Sequence, residues 1–175
     1  GLGDVYKRQL LLSAGFDEKS INALWGRFTA DYFFRHTPEQ ISWHSQHILS
    51  LAPEQLPLIL IGDENNYGTT ELFIYHQEQQ NLFASVAGVL DAQQLSILDA
   101  QILATRDGFV MDTFVLLQRD GKPLTSAARI EEVKQHLLDV LHHRLAIPKT
   151  HRPLSRRMKN FEVKTRVKFL SSKHQ

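Results

Sequence analysis

Between Thr70 and Phe169 the spacing of apolar residues switches repeatedly between a period of two and a helical period, and this succession limits the fold more than any other feature. Thr70 to Tyr75 reads as a strand with Leu72 and Ile74 on one face. Asn81 stands where a helix cap belongs, ahead of Leu82, Phe83, Val86, Val89 and Leu90. Leu95 to Thr105 is a second strand, with Ile97, Asp99, Gln101 and Leu103 on one side and Leu98, Ala100 and Ile102 on the other. Arg106-Asp107-Gly108 is a tight turn of the kind Asp-Gly favours, and Phe109 to Leu117 is the strand after it. After a second turn at 119–123, Thr125 or Ser126 can cap a long helix with a stripe of Ile130, Val133, Leu137, Leu141 and Leu145. Phe161 to Phe169 alternates again, with Phe161, Val163, Val167 and Phe169 inward and Glu162, Lys164, Arg166 and Lys168 outward. The order is βαββαβ. Two helices against one face of an antiparallel sheet give a ferredoxin-like α+β plan. The other sheet face is then expected to stay free for a partner domain.

The upstream part is helical. Asp17 can cap a helix carrying Ile21, Leu24, Trp25 and Phe28. Thr37-Pro38-Glu39-Gln40 has the form of a capping box with proline at the first helical position. Tyr32, Phe33 and Phe34 lie between these two helices. A helical pair exposing Trp25, Phe28, Phe33, Phe34 and Trp43 would be sticky, so the segment is expected to pack on something. Pro53 and Pro57 end it, and Leu58-Ile59-Leu60-Ile61 is a short leading strand. The expected division is a helical segment over 10–56, an α/β domain with its leading strand over 57–170, and the start of a linker at 171–175. Residues 1–9, Gly1-Leu2-Gly3-Asp4-Val5-Tyr6-Lys7-Arg8-Gln9, resemble a translated sequencing adapter and are expected to be non-native.

Apolar residues at 42% and charged ones at 22% describe a globular chain rather than a disordered one. No apolar run is long enough to span a bilayer, so no membrane partner is expected. The absence of cysteine excludes disulfides and thiolate metal sites and favours a cytoplasmic setting. Charge is asymmetric: residues 144–175 carry ten Lys/Arg and one acid, whereas the first 143 carry ten Lys/Arg and eighteen acids. The basic tail could meet nucleic-acid phosphates. Its aromatics Phe161 and Phe169 alternate inward, however, rather than forming a stacking platform, which favours a connector or a docking surface.

Catalytic chemistry finds little support. Nucleotidyl transfer needs paired carboxylates holding Mg²⁺ near a Gly-Ser turn, and no Gly-Ser followed by Asp-x-Asp occurs. His44 and His47 lie three apart on one helix, while His142 and His143 point apart, and no adjacent His-Asp pair exists for a hydrolytic metal site.

Three stretches carry a resemblance. They are Asp31-Tyr32-Phe33-Phe34-Arg35-His36-Thr37-Pro38-Glu39-Gln40-Ile41 with Trp43-His44; Gly68 to Tyr75 with Asn81-Leu82-Phe83-Ala84; and Asp99-Ala100-Gln101-Ile102 with Arg106-Asp107-Gly108 and Asp112-Thr113-Phe114. Together with the Phe161 to Leu170 stretch, their order and spacing resemble the C-terminal part of the bifunctional uridylyltransferase/uridylyl-removing enzymes of bacterial nitrogen regulation. The resemblance implies a parent with a Mg²⁺-dependent nucleotidyltransferase domain, a His-Asp hydrolase domain and two ACT domains. That parent attaches UMP to the P-II protein when glutamine is scarce and removes it when glutamine is plentiful. This chain would hold the helical segment after the hydrolase domain and the first ACT domain, with no catalytic residue and no cofactor of its own. Its partners would be the second ACT domain, the catalytic domains and glutamine as effector.

The implied effector residues are Asn81, Leu82, Asp99 and Gln101. In amino-acid-binding ACT domains the loop before the first helix touches the ligand, and helix-start N–H groups suit a carboxylate. Here the loop reads Gln77 to Phe83, with Asn81 where the family pattern places glycine. Asn81 also reads simply as a helix cap. Asp99 and Gln101 share a side of their strand, facing either a ligand or partner sheet or open solvent. Two alternatives remain: a stand-alone amino-acid-binding, dimerising ACT-like module, and a basic nucleic-acid-binding α/β domain.

Overall fold

The computed structural model describes residues 2–62 and 67–146. Two start signals organise the helical segment. Ser20 N–H donates to Asp17 Oδ1 at 2.7 Å and opens α2 (Glu18–Trp25). At α4 (Pro38–Leu49) the capping box is complete: Gln40 N–H donates to Thr37 Oγ1 at 3.2 Å, and Thr37 N–H donates to Gln40 Oε1 at 2.8 Å. Before them runs α1 (Leu2–Ser13), and between them a short α3 (Ala30–Arg35) carries the aromatic cluster.

A 3-10 turn (Pro53–Gln55) leads into β1 (Leu58–Gly62). Then follow β2 (Thr70–Gln77), α5 (Leu82–Ala92), β3 (Leu95–Ala104), β4 (Phe109–Gln118) and α6 (Ala127–Ala146). Arg129 N–H donates to Ser126 Oγ at 3.3 Å, so of the two candidate caps Ser126 opens α6. The sheet is antiparallel throughout, in the order β1-β2-β4-β3. With α5 and α6 on one face this is the expected ferredoxin-like α+β arrangement. The edge beside β2, where the last strand of a βαββαβ unit pairs, is held by the leading strand β1. The strand expected at Phe161 to Phe169, the basic tail and the linker at 171–175 lie outside the described residues.

Two expectations about faces need correction. Register shifts between Ile97 and Asp99, which marks a bulge at Leu98. One extra residue inverts the alternation. Ile97 therefore joins Ala100 and Ile102 on the helix side, Leu98 is 45% exposed, and only Asp99, Gln101 and Leu103 keep the opposite side.

The second correction concerns the sheet face expected to be free. The helical segment covers it. Leu60, Phe73, Tyr75 and Met111 point there, and they form one buried cluster with Leu11, Ile21, Leu24, Phe28, Tyr32 and Ile41. Both surfaces were apolar and each hid the other, which removes the stickiness the helices would have alone. The sheet thus separates two cores, the other being built from Leu72, Ile74, Val86, Leu90, Phe114, Val133 and Leu137.

Candidate functional site

The loop from β2 to α5 places Asn81 at φ 66°, ψ 13°, in the left-handed region. A side-chain cap needs extended backbone at this position so that the oxygen can reach back over the first turn. In the left-handed conformation it cannot, and Asn81 makes no side-chain cap bond, contrary to the cap reading. Asparagine is the residue that tolerates this region best after glycine, so Asn81 can occupy a glycine position without changing the path of the loop. Its Oδ1 is buried and has no hydrogen-bond partner among the described residues.

Beside this loop lies a cavity of about 130 Å³, walled by Glu78, Gln79, Leu82, Phe83, Ile102, Val110 and Asp112. Asp112 is fully buried. It sits on the helix side of β4 between Ile74 of β2 and Ile102 of β3. Its Oδ2 is 3.8 Å from Nε2 of His76, itself 2% exposed. A carboxylate and an imidazole inside an apolar layer are costly unless paired, which marks them for attention.

Asp99 and Gln101 lie on the opposite face. They are 7% and 5% exposed, so the open-sheet reading does not hold. With Glu71, Arg35, His36, Gln40 and Thr113 they line a shallow notch where α3 and α4 cross the sheet. The Gln40 side-chain amide donates to the Glu71 carboxylate there. The four candidate residues therefore fall into two places: Asn81 and Leu82 on the helix side, Asp99 and Gln101 on the side of the helical segment.

His76 and Glu71 were not among the candidates, and Asp112 entered only as part of the Asp112-Thr113-Phe114 stretch, as a weaker counterpart of Asp99 and Gln101. The signal was present in each strand pattern: His76 falls two places after Ile74, Asp112 two before Phe114, both in apolar registers where a polar residue has no packing reason to be. Other histidines among the described residues have structural settings. His44 stacks on Phe73 with ring centroids 3.7 Å apart and shares a 2.7 Å hydrogen bond between Nδ1 and Tyr32 OH. Burial, with smaller contributions from His36 and His47, holds the His44 pKa well below the usual imidazole value. Burial, with Glu71 nearby, raises that of Tyr32. His47 Nδ1 lies 2.9 Å from the Trp43 carbonyl, and His142 and His143 are exposed. Among the described residues no three His, Cys, Asp or Glu group to hold a metal, and no helix is long and apolar enough to cross a membrane.

Residues 8–47 match the family model described as the fifth domain of uridylyltransferase GlnD. Over 94% of its length the chain is 81% identical to the bifunctional uridylyltransferase/uridylyl-removing enzyme of Idiomarina loihiensis. It is homologous to one stretch of these enzymes. The same-named proteins of Aliivibrio fischeri strain MJ11 and of Vibrio cholerae are each 41% identical, over 93% and 94% of the chain. In every case the chain spans 19% of the relative's length. No solved structure matches it. The resemblance read from the Asp31 to His44 stretch thus has an independent match, because the family model covers those residues.

Proposed function

We propose that this chain is a glutamine-sensing regulatory region of a cytoplasmic enzyme that attaches UMP to the P-II protein and removes it. The observation that carries the reading is 81% identity, over 94% of the chain, to an enzyme bearing both activities in its name. In this reading Mg²⁺ serves the catalytic domains, and glutamine acts here, with the second ACT domain as neighbour. The layered fold supports an allosteric role. A ligand in the β2–α5 cavity touches a sheet whose reverse face is packed by the helical segment, the element that would lead to the hydrolase domain. A ligand that prefers one packing of these layers would shift the balance of distant sites. A dimer through stacked sheet faces, as a stand-alone module would form, has little free face to use once both are covered.

The test is made in the full-length Idiomarina loihiensis enzyme, with the stretch equivalent to residues 57–146 replaced by an inert linker. UMP incorporation into P-II and its removal are then followed with and without glutamine. The expected result is that both activities persist and no longer respond to glutamine. An unchanged response would place the sensor elsewhere and end this reading.

A further inference from the structure

The N-terminal half of α1 lies on a floor that does not suit it. Leu11 is fully buried in the helical core, and the residues three, four and seven places before it on the same side of the helix are Arg8, Lys7 and Asp4. Lys7 is only 8% exposed. Its Nζ stands 4.4 Å from the centroid of the Phe33 ring and 5.1 Å from that of Trp25, and Asp4 Oδ1 pairs with it at 2.7 Å. Arg8 also lies over Trp25, its guanidinium 5.0 Å from the ring centroid. A buried ion pair gains little over well-packed apolar side chains of similar size. The fit is loose as well as polar. Two open grooves, of about 480 and 280 Å³, both border Asp4 and Lys7. One is floored by Trp25, Ala30 and Phe33, the other by Phe33, Pro38 and Ile41. Phe34, one helical turn beyond Ala30, continues the apolar floor outward and is 87% exposed.

Floor and cover also differ in how they compare with relatives. Asp4 and Lys7 fall in the adapter-like stretch 1–9 and ahead of the family match, which starts at residue 8 and holds the whole floor from Trp25 to Ile41. That match is to a fifth domain, so in the family other domains come before it. Among the described residues no buried side-chain N or O without a hydrogen bond lines either groove, which suits an apolar cover rather than a polar ligand. We propose that this floor is the docking seat of the parent enzyme's own upstream helix. The residues that natively precede Leu10 continue α1 towards the preceding domain, with apolar side chains at the positions of Lys7 and Arg8 closing the grooves and Phe34 at the rim of the same contact. The helical segment is then joined to the domain before it by a packed helix rather than a flexible linker. This rests on reading the chain as part of such an enzyme and is independent of which effector the α/β domain senses.

The experiment compares three chains: the 175-residue chain, its Lys7→Leu variant, and an extended chain in which residues 1–9 give way to the stretch of the Idiomarina loihiensis enzyme that precedes the equivalent of Leu10. Each is unfolded in urea, with and without Phe33→Ala, and sized by gel filtration. Filling the grooves with apolar side chains should raise the urea midpoint by about 0.5–1 M. The expected result is such a rise in the extended chain and in Lys7→Leu, lost in the Phe33→Ala background, with every chain monomeric. A rise with the extension alone also supports the helix. A rise with Lys7→Leu and none with a folded extended chain means an apolar seat for another occupant and overturns the proposal, as does a rise in neither. A gain that survives Phe33→Ala comes from elsewhere and overturns it too. If the extended chain elutes as a dimer that Phe33→Ala splits, the occupant is a second copy and the proposal is wrong. Should the extended chain not fold, Lys7→Leu decides alone: a higher midpoint supports the seat, and an equal or lower one overturns it. The regulatory reading is decided separately by the full-length replacement.

Discussion

His44 shows how one buried side chain sets a condition on the whole chain. Between the Phe73 ring and Tyr32 OH it has no room for hydration, and burial favours the neutral ring. Its folded pKa lies below that of the unfolded chain, near 6.5. Above that pH both states are neutral there and His44 adds no pH dependence. As pH falls through about 6.5, the unfolded chain takes up a proton that the folded chain refuses, and stability drops by up to about 1.4 kcal/mol per pH unit. Urea midpoints should therefore be lower at pH 5.5 than at pH 7.5, two values spanning an ordinary imidazole pKa of about 6.5. His44→Asn, which keeps a polar group for Tyr32 but cannot titrate, should reduce the difference. An equal pH dependence in the variant would rule His44 out as the cause. Asn81 separates two roles in the same way. As a left-handed residue it should be replaceable by glycine without loss, whereas alanine should cost about 1 kcal/mol for the backbone alone. A side-chain cap would instead be kept by Asn81→Thr, which a left-handed backbone penalises more than alanine, and equilibrium unfolding distinguishes the two patterns.

The elements were legible wherever a local rule decided them. Thr37 and Gln40 cap α4 as their spacing required, and Thr37→Ala should cost about 1 kcal/mol in the unfolding free energy. If that variant unfolds at the same urea concentration as the parent chain, the reciprocal bonds contribute nothing. β2, β4 and the α6 stripe from Ile130 to Leu141 followed their periods for the same reason, since side-chain direction is a property of the backbone repeat. What failed to show was non-local or hidden in a single extra residue. The bulge at Leu98 leaves no composition signal, yet it moved Ile97 to the other side of the sheet. Nor could spacing reveal which side of β3 Asp99 and Gln101 share with α3 and α4, because that depends on a helical segment dozens of residues upstream. The joint between that segment and the sheet is partly polar. Arg27 Nη1 donates to Asp107 Oδ2 at 2.8 Å, and Arg106 N–H donates to the Arg27 carbonyl at 2.8 Å. Burial raises the Asp107 pKa, but hydrogen bonds from Thr105 and Arg27 outweigh it and the net shift is downward. The side chains are about one-third exposed, so a double-mutant cycle across Arg27 and Asp107 should give a coupling of only about 0.5 kcal/mol. A much larger value would mean that the pair, rather than the apolar contact, aligns the two layers.

At the scale of the molecule, a sheet with a core on each face ties both halves of the chain to one folding event. Phe73 and Ile74 are neighbours in β2, yet one packs among the upstream helices and the other beneath α5 and α6. Distorting the strand for one core disturbs the register the other needs. Phe73→Ala should therefore cost about 3–5 kcal/mol and lower the stability of both layers together, with probes in Trp25 and in α6 losing structure at the same denaturant concentration. The same logic decides what happens when the helices are removed. A chain beginning at Pro57 keeps every described strand but bares Leu60, Phe73, Tyr75 and Met111 on one contiguous face. That face is apolar because it was built to be covered, and the helices supply the cover. Such a chain should run on gel filtration as larger species than the 175-residue chain at equal concentration, because self-association is the remaining way to hide the surface. If it instead stays the same size and unfolds in one transition with undiminished stability, the helical segment is an attachment rather than a layer of the domain. A signal passing from the β2–α5 cavity to upstream domains would then need another route than the sheet.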